Sequence, residues 1–345
     1  MENGCFTALI TPFTHALELD RTGLEQLIEF QIQNGVTGIL VTGTTGESPT
    51  FKWQEHNHVI DLAATQIKGR SRIIAGTGSN NTDEALTAAG HAAKQGVDAL
   101  LMVDPYYNGP SSLEIRKEYY EAVAGRYPDM EIIPYIIPGR TGAQMLPQDL
   151  ALLAKACPNV RCVKEATGNL DNMRLTRTCC GTDFQIFSGD DALVYDIMTD
   201  PDILACGAIS VMSNIVPGFM TQLVSAINQG DMDTARQLQS ALKPLLDLVV
   251  VTTTEKTPFG PVQCRARNPL PLKTMMQLLG MPAGPCRRPL GKMTRQGLDR
   301  IVAAMQQVQA AHPELFAPIA EFFNIDIKDR LHNPAHQEGL WYGYE

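Results

Sequence analysis

The chain has 345 residues, 44% of them hydrophobic and 19% charged, a balance that supports a large buried core. Its formal net charge of -9 argues against nucleic acid or an anionic membrane surface as the main partner, but not against small anions held by a few placed cations. The start lacks a secretory pattern, and no apolar run approaches the ~20 residues of a membrane helix. The eight cysteines show neither C-x-x-C pairing nor zinc spacing, so the expectation is a cytoplasmic protein with reduced thiols and no metal site.

Along the chain, short β-rich runs alternate with longer amphipathic segments. Residues 6–10 read as a strand and 21–33 as a helix; 38–41 and 54–67 repeat the pattern, followed by 72–75 and 83–95. The run continues with 99–103 and 113–125, 131–135 and 147–156, 160–164 and 169–178, 184–188 and 192–198, 208–211 and 217–228. Thr82 or Asn81 can cap one helix, and Pro147 suits a first helical turn. Eight strand-then-helix units imply parallel strands with right-handed crossovers, and an unbroken set of eight favours a closed (β/α)8 barrel over an open sheet. An open dinucleotide-binding sheet would place a glycine-rich turn after the first strand, where this chain has Thr11-Pro12-Phe13.

After Asn228 the alternation stops, and 232–251, 272–279 and 294–311 read as helices. The expected organisation is a barrel over 1–230, a helical C-terminal subdomain over 231–311 and an extension over 312–345. That extension carries Phe316, Phe322, Phe323, Trp341, Tyr342 and Tyr344, too many aromatics for a disordered tail. It is expected to pack on its own or a neighbouring subunit.

In such a barrel the reacting groups come from the C-terminal ends of the strands. Lys164 closes the run Val160-Arg161-Cys162-Val163-Lys164, where desolvation would lower its pKa and free a nucleophilic amine; the competing reading is a structural salt bridge with Glu165. Tyr135 ends the neighbouring strand and can relay protons, or simply be a core tyrosine. The second strand runs into Gly43-Thr44-Thr45-Gly46-Glu47-Ser48, whose amides and hydroxyls can hold a carboxylate, and which lacks the phosphate-loop spacing. Tyr106 and Tyr107, in Asp104-Pro105-Tyr106-Tyr107-Asn108, would form a rigid aromatic wall. Arg140 is a candidate carboxylate clamp. His56 and His58 lie two apart on a helix and do not share a face; His332 and His336 have metal-pair spacing but sit in a proline-interrupted tail.

Together these motifs resemble the dihydrodipicolinate synthase family, within the group that includes N-acetylneuraminate lyase. The carriers are GTTGES (43–48), the 76–80 loop, PYYN (105–108), YIIPGRT (135–141), VKEATG (163–168), FSGDD (187–191), GAISV (207–211) and NPLPLK (268–273). The resemblance implies a Schiff-base aldolase without cofactor or metal, condensing pyruvate with aspartate semialdehyde. Lys164 would form the imine, Tyr135 would shuttle protons, and Thr45 would couple Tyr135 to Tyr107 reaching in from a neighbouring subunit. Thr44, Thr45, Gly207 and Ile209 would line the pyruvate pocket, and Arg140 would bind the aldehyde's carboxylate. The assembly implied is a homotetramer, a dimer of dimers.

The family's lyases resemble GSTGE and lack the arginine after the tyrosine, so Arg140 favours the synthases. Ile136 stands where the family usually has asparagine, which implies loss of a polar group near the site. In lysine-inhibited members an effector cleft lies near the tyrosine pair, and the matching residues here are Ser48, His56, Asn80, Glu84 and Tyr106. Trp53 stands where bacterial members often carry histidine and resembles the plant-type site. The alternatives are another pyruvate-dependent 2-oxo acid aldolase or lyase, and a catalytically idle regulatory barrel.

Overall fold

The computed structural model describes residues 1–343. Eight parallel strands close into a barrel in chain order: β1 Gly4–Ala8, β2 Gly38–Val41, β3 Arg72–Gly76, β4 Ala99–Val103, β5 Glu131–Ile136, β6 Cys162–Glu165, β7 Gln185–Ser188 and β8 Gly207–Ser210. Closure pairs Gly4 with Gly207, and the active half of the wall is set by Tyr135 beside Lys164 and Lys164 beside Phe187.

Strand alternation sorts the side chains into two cores. Phe6, Leu40, Ile74, Leu101, Ile133, Cys162, Phe187 and Ile209 fill the barrel, with Tyr135 above them. Ile39, Ile73, Leu100, Ile132, Val163 and Ile186 face the surrounding helices. Ile136 belongs to this outer set and is buried, so the expected loss of polarity at the site is corrected: Tyr135 points in and Ile136 points out.

Several helices begin where a short polar side chain accepts a free amide of the first turn. Asp20 accepts from Gly23, and Asn81 rather than Thr82 is the cap, accepting from Asp83 at 2.9 Å. Pro147 opens its helix as expected. The segment expected at 113–125 is broken by a wide π turn, Ile115–Tyr120, which buries Tyr119 and Tyr120. Tyr120 and the Met145 amide both donate to the buried Asp104, fixing the end of β4 just before the tyrosine pair.

Beyond the barrel, the helix Met232–Leu246 is shorter than expected. The chain then forms a hairpin of two long antiparallel strands, β9 Val250–Thr257 and β10 Gly260–Arg267, joined by Pro258 and Phe259. This corrects the purely helical reading: Val249-Val250-Val251-Thr252-Thr253-Thr254 is a β-branched run that fits a pleated strand. The helices Leu270–Leu278 and Arg295–Ala311 follow. In the extension Phe316 is fully buried, Phe322 and Phe323 pack on Phe30 of the first barrel helix, and β12 Trp341–Tyr342 pairs with β11 Met293–Thr294. Tyr344 lies outside the described residues. Among the described residues no helix is long and apolar enough to cross a membrane.

Candidate active site

Lys164 is the penultimate residue of β6, on the inward face, with 4% of its surface exposed. Its Nζ lies 4.4 Å from the centre of the Tyr135 ring. Burial pulls its pKa down to about 7; the nearby charge of Asp191 works against this and that of Arg140 reinforces it. The salt-bridge alternative with Glu165 fails, because strand alternation turns that carboxylate outward. There it accepts from the Thr167 amide at 2.7 Å and the Asn172 side chain at 3.0 Å. Among the described residues Lys164 has no ion-pair partner, so its amine is desolvated and uncommitted.

Two residues outside the original candidates shape this lysine. Gly189 leaves the room its stem needs, since a Cβ there would stand 3.1 Å from Lys164 Cε and 2.8 Å from the Ala166 methyl. Asp191, buried, accepts from the Val211 and Met212 amides at 2.9 and 2.7 Å. Burial nevertheless raises its carboxyl to about 6. The signal for both was the FSGDD stretch, whose composition alone does not say which acid turns inward.

Tyr135 is buried, which raises its pKa, while the Arg140 charge and the Thr44 hydroxyl favour the phenolate. Thr44 is therefore the threonine facing the phenol. The expectation that Thr45 couples Tyr135 to Tyr107 is corrected: Thr45 Oγ1 is buried and accepts from Asn268 Nδ2 at 3.0 Å. Asn268 also accepts from Arg140 Nη2 at 2.8 Å through its carbonyl, so one residue from the C-terminal segment holds both the Thr45 loop and the arginine. Arg140 stands at the mouth, partly open to solvent. Burial of its guanidinium lowers its pKa, Tyr135 opposes that, and Arg267 and Arg265 add to it.

Gly207 has a structural part in the barrel wall. The position of a Cβ there is 2.0 Å from the Gly4 carbonyl oxygen, so its role is close approach of β8 to β1. Ile209 is fully buried within the barrel's inner cluster.

A cavity of about 390 Å³ opens at the strand ends, lined by Thr44, Tyr135 and Arg140 on one side and by Ser48, Trp53, His56, Glu84 and Tyr106 on the other. Lys164 is not in its wall and is reached past Tyr135. Trp53 stacks edge-on with His56 at 5.0 Å between ring centres. His56 Nε2 donates to the Gly76 carbonyl at 3.0 Å, and burial lowers its pKa, keeping it neutral. Glu84 accepts from Ser79 Oγ at 2.6 Å. Tyr106 is half-buried, and burial and the Glu84 charge raise its pKa, opposed by the Asn80 backbone. Five of the six residues expected at an effector cleft thus share one wall, with exposed Asn80 reaching Tyr106 from outside it. Tyr107 is different: it is 90% exposed with a left-handed φ of 76°, a strained conformation for a tyrosine that points it away from its own site.

A closed parallel barrel with an uncommitted buried lysine beside a buried tyrosine defines a Schiff-base type of site. Residues 1–308 match the Dihydrodipicolinate synthetase family, and the chain belongs to that family. It is 39% identical over 306 residues to the 4-hydroxy-tetrahydrodipicolinate synthase of Syntrophus aciditrophicus, covering 89% of this chain and 98% of that protein. The structure of the 4-hydroxy-tetrahydrodipicolinate synthase from Methylacidiphilum fumariolicum superposes with a TM-score of 0.82 at 33% identity, covering 92% of this chain and all of that one. The enzyme of the same type from Cyanidioschyzon merolae, solved with lysine bound, superposes with a TM-score of 0.80 at 33% identity, covering 89% and 98%.

Proposed function

We infer that the protein is a lyase that condenses pyruvate with L-aspartate 4-semialdehyde to 4-hydroxy-tetrahydrodipicolinate, in lysine and diaminopimelate biosynthesis. The observation that carries this reading is the uncommitted amine of Lys164, lowered to about 7, beside Tyr135 in a member of this family. The Lys164 amine adds to the pyruvate ketone, and the ketone oxygen leaves as water, its protons passing through Tyr135. Loss of a methyl proton gives an enamine whose carbon attacks the aldehyde. The semialdehyde's own amine then displaces Lys164 as the ring closes. The protonated imine is the electron sink, so this chemistry calls for no cofactor.

Thr44, facing both the cavity and the phenol, is the better-placed relay partner for Tyr135, and Tyr107 of a neighbouring subunit completes the path. The exposure and strained backbone of Tyr107 support a homo-oligomer, a tetramer built from dimers. Such an enzyme works in the cytoplasm. L-Lysine is the effector we assign to the cleft of Ser48, Trp53, His56, Asn80, Glu84 and Tyr106. There Glu84 meets an ammonium, and Trp53 packs the aliphatic stem and adds a cation–π term of about 0.5–2 kcal/mol toward the ammonium.

Borohydride added with pyruvate should trap an adduct on the peptide containing Lys164, and a coupled assay should show turnover with aspartate semialdehyde in preference to N-acetylmannosamine. Trapping at another lysine, or none, overturns the mechanism. L-Lysine titrated into that assay should inhibit, and Glu84→Thr should abolish inhibition; equal rates with and without lysine reject the effector site. Light scattering on the active form tests the oligomer, and an active monomer refutes it.

A further inference from the structure

Three arginines crowd one side of the barrel mouth, and only Arg140 belongs to the barrel. It lies in the short helix Pro138–Thr141 after β5, whereas Arg265 and Arg267 come from β10 of the hairpin. Two residues apart on a strand, Arg265 and Arg267 project from the same face. Arg267 Nη1 donates to the Gly139 carbonyl at 2.8 Å, and Arg140 Nη2 donates at 2.8 Å to the carbonyl of Asn268, the residue after Arg267. These crossed bonds clip the hairpin base to the turn that carries Arg140. They bring the two added guanidiniums close enough for their charge to bear on Arg140.

The cluster lacks a counter-ion. Among the described residues, none of the three arginines meets a carboxylate within ion-pair distance. Arg116, Arg174 and Arg287, by contrast, each pair with one or two acids. Like charges gathered without an acid repel one another, so an anion entering between them is favoured. Arg265 is exposed, and its side chain makes no hydrogen bond among the described residues, so its charge serves no evident structural contact.

We propose that Arg265 and Arg267 extend Arg140 into a three-guanidinium clamp for the carboxylate of the aldehyde substrate. This rests on the condensation reading above. Arg267 also positions Arg140 through Gly139, whereas Arg265 acts by charge alone. Arg140 lines the cavity and its charge reaches Lys164, whereas Arg265 and Arg267 bear on Arg140 and not on Lys164, so the two added guanidiniums act on the second substrate more than on pyruvate.

The test uses the full-length enzyme with Arg265→Gln, Arg265→Lys and Arg267→Gln. Arg265→Gln should raise the KM for aspartate semialdehyde roughly two- to fivefold, the scale of one exposed ion pair. It should leave kcat and the KM for pyruvate within experimental scatter, and flatten the fall of kcat/KM with added salt. Arg265→Lys should restore most of the loss, and Arg267→Gln should cost more than Arg265→Gln. Two results overturn the proposal: an aldehyde KM and salt dependence in Arg265→Gln equal to the parent's, or a pyruvate KM raised as much as the aldehyde's. Borohydride trapping on the same proteins separates the two readings. Adduct formation at Lys164 with an unchanged aldehyde KM overturns the clamp and leaves the Schiff-base reading standing.

Discussion

Lys164 and Lys273 are both buried lysines whose pKa burial lowers, yet their surroundings give them opposite uses. Lys273 sits in the seam between the barrel and the C-terminal segment. Its Nζ bonds Glu47 at 2.8 Å, the Pro285 carbonyl at 2.9 Å and the Thr11 carbonyl at 3.1 Å. An ammonium has three protons and no acceptor, so all of Lys273 is spoken for. Lys164 has a tyrosine ring beside it and the charge of Asp191 at a remove, but no bonded carboxylate. Burial alone does not make a nucleophile; what matters is whether the nitrogen's protons are committed.

The sharpest break of this comparison is to remove each amine. Lys164→Ala should cost about 10³-fold or more in turnover, as expected for loss of a covalent nucleophile, with the fold intact by circular dichroism. Lys273→Met should still be trapped by borohydride with pyruvate at Lys164 in its folded fraction. Its effect belongs to stability: Glu47, fully buried and held at a left-handed φ of 59°, is left uncompensated, at a cost of about 3–5 kcal/mol. Urea denaturation checks this. Adding Glu47→Leu to Lys273→Met should recover part of the loss, and a single variant as stable as the parent would show that the pair does not hold the seam.

A finer contrast is titration. With Lys164 lowered to about 7, the fraction of free amine rises through that pH, so kcat/KM for pyruvate should climb from pH 6 to pH 8 and level off. A flat profile over that range would mean that Lys164 titrates elsewhere.

Much of this was legible because it is periodic or local. The eight alternating units predict the barrel, and an apolar run ending in lysine predicts Lys164. What escaped depends on contacts that sequence spacing does not carry. Thr44 and Thr45 are chemically identical neighbours, and only the loop's path turns one to Tyr135 and the other to Asn268, 223 residues away. Lys273 and Glu47 meet across 226 residues. The close approach of Gly207 to Gly4, which a Cβ would prevent, joins the two ends of the barrel across 203 residues and leaves no local signal. The family resemblance puts Ile136 near the site, whereas a residue that follows the inward Tyr135 on a strand faces away. The hairpin's β-branched run adjoins an amphipathic helix, whose periodicity masks the start of the strand.

The smallest expected effect is also the least intuitive: Lys164→Met should stabilise the fold while abolishing activity. A lysine whose pKa falls from 10.5 to about 7 on folding binds its proton more tightly in the unfolded chain. At 1.36 kcal/mol per pH unit the displacement is worth about 5 kcal/mol as an upper bound. Below about pH 7 both states are protonated and the full penalty stands. As pH rises from about 7 towards 10.5 the unfolded chain holds a proton that the native one has shed, so parent stability climbs across that window. Methionine removes the penalty and the slope together. It also takes a compensating cation from Asp191, whose carboxyl, raised to about 6, is ionised at neutral pH; that offsets much of the gain. The net expectation is on the order of 1–2 kcal/mol in favour of Lys164→Met at pH 7, shrinking to nothing or reversing by pH 10. Asp191 contributes its own decline between pH 3.8 and about 6 in both proteins, so comparisons above pH 6 isolate the lysine. Urea midpoints at pH 7 and pH 9.5 decide the matter: a methionine variant less stable at pH 7, or one that keeps the parent's slope, would mean that the Lys164 amine is not held under strain in the native barrel.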